Sequence, residues 1–492
     1  MIDNFTSQVS KEKGFIFSLL LSALFTYPII NSGVYYIDDL ARSQTGYLGW
    51  GTLGRPLADY IFYFFSLNSR SSIDISPLPQ IISIILMALT INFASDKIFK
   101  YRSVTTVIGS SLIFLNPLFL HNLVYRYDSL SMVLSISTCV FASLLNIKNN
   151  KASFIIKVAL VLSSLCLYQV SAVCFIMICL IQYSISMGQG NKVQIRKIIT
   201  DLAIVASSYI AYLILVKAIA HNSRSETVFT QDNWAQMLTL NINKFINLYS
   251  GAFHNPIKYL IVISIIASIA IYVCRIVKHR NELKGYVQNV LSVTLTLTPL
   301  FLLAASISTI VILKESLILP RIATTFGIII LYAACILHLQ SRMIALLYSA
   351  SVVFGSITIS FALAASMHDQ YQKDLILVSQ IKASIQNDKI MSESKTTTFG
   401  IASESLVAHN NAKIFPVVSM INSRVYDGTA SIMLTRIGLE GVNFSFDRKK
   451  WMDIAISACS KNKPRINNGD FSIYNSEKQN YVFLGKLPDQ CI

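Results

Sequence analysis

Tyr35-Tyr36-Ile37-Asp38-Asp39-Leu40-Ala41-Arg42, followed closely by Gly49-Trp50-Gly51-Thr52-Leu53-Gly54-Arg55, comes directly after the first long apolar run of the chain. Two adjacent carboxylates and two arginines therefore stand at the edge of a hydrophobic segment. Ionisable groups are costly there and usually serve a function. Whether this stretch is a loop at a membrane surface or part of a soluble domain decides the fold.

Composition answers that question. Of 492 residues, 53% are hydrophobic and 13% charged, with a mean hydropathy of +0.55. A soluble domain carries roughly 25% charged residues. Repeated apolar runs of roughly 17 residues or more instead read as membrane spans. The expected fold is a polytopic α-helical membrane protein with about eleven transmembrane helices. They run near 14–30, 77–95, 104–120, 130–147, 153–187 (two, joined at Tyr168–Ser171), 198–219, 257–274, 286–311, a tenth ending near Leu339 and an eleventh ending near Ala365. Leu57–Leu67, aromatic and too short to span, suits a helix lying in the interface.

The basic residues set the orientation. Lys11, Lys13, Lys97, Lys100, Arg102, Lys148, Lys151, Lys157, Lys192, Arg196, Lys197, Arg275, Lys278, Arg280, Lys284 and Arg342 alternate with the spans in short loops, against about ten in considerably longer opposite loops. The positive-inside rule then places the N-terminus in the cytoplasm and the acidic stretch on the outer face. The net charge of +16 is consumed by this pattern. With no basic tract interleaved with aromatics, nucleic acid is excluded as a partner, and membrane lipids are expected to meet that charge.

From Ser366 the chain turns polar, and short apolar runs alternate with Gly, Asn and Asp turns. Residues 366–492 are expected to form a small α/β domain on the outer face, beside a transmembrane domain of 1–365. Six of eight cysteines lie within apolar runs, while Cys459 and Cys491 lie in polar sequence and are a disulfide candidate in an oxidising compartment. There is no Cys-x-x-Cys, no spaced His/Cys set and no serine-nucleophile motif. No metal or other cofactor is required, although carboxylates and water could hold a divalent ion. No internal repeat supports an inverted-repeat transporter.

Adjacent carboxylates can differ in environment, so Asp38 and Asp39 could divide the work, one ionised as a base and the other raised or engaged with substrate. The bland alternative is a solvated loop start. Gly49-Trp-Gly-Thr-Leu-Gly54 matches Gly-x-Gly-x-x-Gly but lacks the strand and helix that a dinucleotide site needs, so a tight turn is the better reading. Arg126, Asp128, Glu315 and Arg321 fall on the same outer face. Each alone could be a structural ion pair. With Arg42 and Arg55 they form a set of guanidinium groups suited to phosphate. Tyr168 and Gln169, polar at a tight outer turn, could bond sugar hydroxyls or simply pack helices. In the C-terminal part Phe415, Tyr426, Trp451 and Tyr474 could line a glycan site or form a core.

An acidic pair just after the first span resembles the first-loop motif of GT-C glycosyltransferases. The ordered set Tyr35–Arg42, Gly54-Arg55-Pro56, Arg126-Tyr127-Asp128 and Leu167-Tyr168-Gln169 resembles the bacteriophage-type serotype-converting O-antigen glucosyltransferases over roughly 1–365. The resemblance implies a GT-C-like enzyme of the bacterial inner membrane, its C-terminal domain periplasmic. Such an enzyme takes glucose from undecaprenyl phosphate and passes it, with inversion, to a sugar of the lipopolysaccharide O-antigen. It implies a separate donor synthase and a flippase. By position Asp38 takes the base role with Asp39 as its partner, or the reverse. Arg126 and Arg321, with Arg42 and Arg55, take the lipid phosphate, and Asp128, Tyr168, Gln169 and Glu315 take sugar. Here the pair is Asp-Asp rather than Asp-Glu. The rival readings are a lipid-linked-sugar flippase and an enzyme transferring another sugar.

Overall fold

The computed structural model describes residues 7–219, 227–314, 316–443, 448–461, 463–488 and 491. Two compact units emerge, and they do not coincide with 1–365 and 366–492. The first takes in residues 1–30, 48–361 and 415–420, and the second residues 31–47, 362–414 and 421–492. The stretch carrying Asp38, Asp39 and Arg42 thus belongs to the unit completed by the end of the chain.

The first unit is helical. Among the described residues, seven helices are long and apolar enough to cross a membrane, and eight if a bent pair counts as one. They are Lys11–Asn31, Leu78–Phe99, Asn150–Leu167, Gln169–Gly188, Ile195–Lys217, Asn255–Lys278 and the first part of Arg342–Asn387. The difference from eleven has local causes. The run expected over 104–120 ends its helix at Ser111, where the N–H groups of Leu112, Ile113 and Phe114 bond three residues back, and Asn116, extended before Pro117, then caps a 3-10 turn through Phe119 N–H (3.2 Å). This irregular backbone is buried in protein, where broken helices are tolerated at membrane depth. Gly327 permits the fit, since a Cβ there would collide with the carbonyl oxygens of Leu112 and Ile113. The run over 286–311 bends by 64° between Tyr286–Thr296 and Thr298–Val311, where Pro299 supplies no N–H. Ser129–Leu144 and Phe326–Gln340 are apolar but short. Between spans, hydroxyls supply specificity: Thr90 Oγ1 donates to Ser137 Oγ at 2.9 Å.

Pro56–Ser66 begins with Pro at its first position and carries exposed Tyr60 and Phe64, an amphipathic helix of interfacial character.

The second unit is an α/β arrangement around a four-stranded mixed sheet, β1 (Lys395–Gly400), β2 (Ile466–Asn467), β3 (Phe471–Ser476) and β4 (Gln479–Leu484), in the order β1-β4-β3-β2. β1 runs parallel to β4, while β3 and β4 form a hairpin whose two-residue turn, Glu477-Lys478, has both φ angles positive. Period-two alternation sorts the side chains. Phe471, Ile473, Val482 and Leu484 face a core with Val378, Ile381 and Ile385 of the long helix Arg342–Asn387, Ala430 and Leu434 of the helix Asp427–Arg436, and Leu40. Tyr474, Tyr481 and Phe483 face Phe399, Ala455 and the disulfide Cys459–Cys491 (Cα–Cα 5.2 Å) on the other side.

Candidate active site

Asp38 and Asp39 open the helix Asp38–Thr45, whose N-terminus favours negative charge. Successive helical residues point about 100° apart, and here that separates the two carboxylates. Asp38 is exposed, whereas Asp39 is 0% exposed. The helix is held by Leu40 in the core and by Tyr36, whose hydroxyl donates to the Ile421 carbonyl at 2.7 Å. Ile37, just before the pair, has φ of 37°, a strained setting for a β-branched residue, of the kind that collects at functional sites.

Asp38 lines a cleft of about 610 Å³ with Ile37, Ala41, Gln44, Tyr47, Tyr426 and Thr429. Ser431, Ile432, Thr435 and Val442 complete much of the wall, which mixes hydroxyls with apolar surface. Arg42 is buried, its guanidinium 4.3 Å from the Tyr47 ring and Nη1 donating to the Tyr47 carbonyl at 3.3 Å. Tyr474 is core, 2% exposed.

Asp374 stands behind this helix, past the apolar part of Arg342–Asn387, which turns polar at Ser366. Its carboxylate accepts from Gln370 Nε2 (2.9 Å) and from Val425 N–H (3.0 Å), next to Tyr426 of the cleft. Burial pushes its pKa up to about 6, against the pull of those hydrogen bonds and of Lys373 and Arg424.

In the first unit, Arg55, Tyr168, Gln169 and Arg321 come together. The Arg55 guanidinium lies 4.4 Å from the Tyr168 ring centroid, and its Nε donates to Gln169 Oε1 at 3.1 Å. Tyr168 OH donates to the Arg321 carbonyl (3.0 Å), and Arg321 Nη1 donates to Tyr125 OH (2.6 Å). Asn122 Nδ2 also donates to that carbonyl (3.0 Å), while Arg321 N–H donates to His121 Nδ1 (3.2 Å). Asp128 accepts from the Trp50 indole N–H. Trp50 stacks on Phe62 at 4.8 Å, and Phe62 on Tyr127 at 5.4 Å. Arg126 turns elsewhere, to Ser76 Oγ (2.7 Å) and the Ile30 carbonyl (3.1 Å). Glu315 lies outside the described residues.

The turn before Arg55 is tight. Gly54 has φ of 77°, and a Cβ on it would stand 2.6 Å from Tyr212 OH and 2.9 Å from Gln169 Nε2. Its carbonyl accepts from both groups, at 2.9 and 3.1 Å. The start of the same turn is gathered onto Asp59, which the sequence reading passed over. Pro at the first helical position followed by an acidic residue in the first turn was the available signal. Trp50, Tyr125 and Tyr212 were also missed, because nothing local marks their partners. Among the described residues no group of three or more His, Cys, Asp and Glu is placed to hold a metal.

Apolar helices, an acidic helix opening at a cleft and a separate arginine–tyrosine cluster describe a polytopic membrane protein. Residues 27–332 match the family model described as glucosyl transferase GtrII, more than half of the chain, and the protein belongs to that family. It is also similar to an "uncharacterized 55.3 kDa protein in gtrB 5'region" of Salmonella phage P22, at 36% identity over 161 residues, 32% of this chain and 33% of that protein. The match thus spans about a third of that relative's length. No solved structure matches.

Proposed function

We propose that the protein transfers glucose from undecaprenyl-phosphate glucose to a hydroxyl of the lipopolysaccharide O-antigen at the periplasmic face of the bacterial inner membrane. The acceptor oxygen attacks C1 as the bond from C1 to the phosphate oxygen breaks, inverting the centre. The acceptor proton passes to Asp38, and undecaprenyl phosphate leaves as a monoester. Its growing negative charge calls for fixed positive charge, and Arg55 and Arg321 are assigned to it, with Arg42 and Arg126 in support. Tyr168, Gln169, Asp128 and Glu315 are assigned to sugar. The reading needs no metal, and has a cytoplasmic N-terminus and a periplasmic C-terminal domain. A donor synthase and a flippase would supply the donor.

The observation that carries the proposal is the asymmetry of the acidic pair in a chain of this family: Asp38 is exposed along a cleft, while Asp39 is shut away. A carboxylate open to the cleft is placed to receive a substrate proton. The test is transfer in proteoliposomes from synthetic polyprenyl-phosphate glucose to purified O-antigen, with Asp38→Asn and Asp39→Asn beside wild type. Transfer lost in Asp38→Asn, with donor still bound, supports the assignment. Full activity in both variants sinks it, and donor crossing the bilayer without transfer would make the protein a flippase.

A further inference from the structure

The Gly49–Gly54 turn has its anion built in. Gly49 N–H and Trp50 N–H each donate to Asp59 Oδ1 at 3.1 Å, and Gly51 N–H donates to Oδ2 at 2.5 Å. Successive backbone N–H groups converging on one point form the kind of nest that elsewhere cradles phosphate. Asp59, 8% exposed, fills it from the first turn of Pro56–Ser66. The turn is therefore closed to a lipid phosphate, and anion binding falls to side chains.

From this clamped turn two arms reach outward. Trp50 passes its indole N–H to Asp128 and stacks on Phe62. At the other end the Gly54 carbonyl is bonded by Tyr212 and Gln169, and Gln169 also takes the Arg55 Nε hydrogen. We infer that Asp59 is the positioning residue for the Arg55–Tyr168–Arg321 cluster, acting as an internal counter-anion that fixes the turn from which Arg55 and the Trp50–Asp128 bond project.

This rests on the proposed function for its kinetic consequence but not for its structural one. Asparagine offers a single acceptor oxygen and turns an N–H₂ group toward the backbone donors; alanine offers neither. For both variants we expect the KM for polyprenyl-phosphate glucose to rise about tenfold or more, with kcat within about threefold. Formate, a carboxylate small enough for the nest, should lower the KM of Asp59→Ala toward wild type, while chloride at equal ionic strength should not. Wild-type kinetics in both variants, a fall in kcat at constant KM, or no response to formate would overturn the inference.

A second measurement separates this outcome from failure of the proposed reaction. In a Trp234→Phe/Trp451→Phe background, Trp50 emission should shift to the red in Asp59→Ala and return with formate, whether or not sugar is transferred. An unmoved spectrum counts against Asp59 alone, and a wild type that transfers from no polyprenyl-phosphate sugar counts against the enzyme reading alone. If the Asp59 variants do not fold, Trp50→Phe keeps the stack on Phe62 but deletes the donor to Asp128. A raised donor KM there supports the arm, and an unchanged one removes it.

Discussion

Two carboxylates one residue apart in sequence have opposite surroundings in the fold. Asp38 faces a cleft and Asp39 faces protein, so replacing them should have different signatures. Asp38→Asn is expected to cut transfer by about 10²–10⁴-fold, the usual reach of general-base catalysis, with the unfolding temperature unchanged. Asp39→Asn should lower stability by about 1–3 kcal/mol, because it changes the hydrogen-bonding capacity of a fully buried polar group. Rates and thermal unfolding of the two purified variants check both statements. The sequence reading placed the pair correctly at a segment border but could not rank its members. Ranking needs the helix phase, and that is fixed by Leu40 entering a core whose other members begin more than three hundred residues later. Asp59 was hidden differently. It sat inside a stretch read as an aromatic interfacial helix, and only the three converging N–H groups give it a role.

At the scale of single elements, the hydropathy pattern was a good guide to which segments are apolar and a poor guide to which are continuous helices. The runs over 104–120 and 286–311 carry the hydropathy of spans, but the first leaves the helix at Ser111, before Pro117, and the second bends beside Pro299. Composition averaged over a window is blind to one missing N–H. The helix Asp38–Thr45 shows the converse, a short polar piece made stable by tertiary packing alone. Leu40→Ala should destabilise the unit it packs into by about 2–5 kcal/mol, seen as faster hydrogen exchange in β3 and β4 and a lower unfolding temperature. The Gly54 turn makes a second expectation. Gly54→Ala sets a Cβ against Tyr212 OH and Gln169 Nε2 at a φ of 77°, and should cost about 1–3 kcal/mol while raising the KM for donor through Arg55.

For the molecule as a whole, the α/β character of the C-terminal part was legible from its alternating short strands and turn residues. Its recruitment of residues 31–47 was not, since no local signal records a partner so far along the chain. One contribution to the pH response of this unit comes from Asp374. Folded, it keeps its proton up to about pH 6, whereas the unfolded chain releases it near 3.8. The folded state therefore binds more protons between those values, and this contribution to stability falls as pH rises through that window and is level above it. The difference of about 2 pKa units corresponds to up to about 3 kcal/mol. Asp374→Asn should thus gain stability relative to wild type as pH goes from 4 to 7.5, measured by denaturant unfolding at both pH values; a constant difference would contradict it. Reduction of Cys459–Cys491, which closes a separation of 32 residues, should cost up to about 4 kcal/mol on the chain-entropy account, read as a lower midpoint in the presence of a thiol reductant.

The interleaving of early and late segments also sets a clock on synthesis. Leu40 leaves the ribosome 431 residues before Phe471, its partner in the core. At translation rates of about 5–20 residues per second, that is roughly 20–90 s in which the acidic helix has no core to dock against. A chain stopped just short of β3 and β4 would carry the acidic pair and all the membrane helices named above, yet lack the strands that complete the core Leu40 enters. Docking of the acidic helix is in that sense timed by the arrival of β3 and β4.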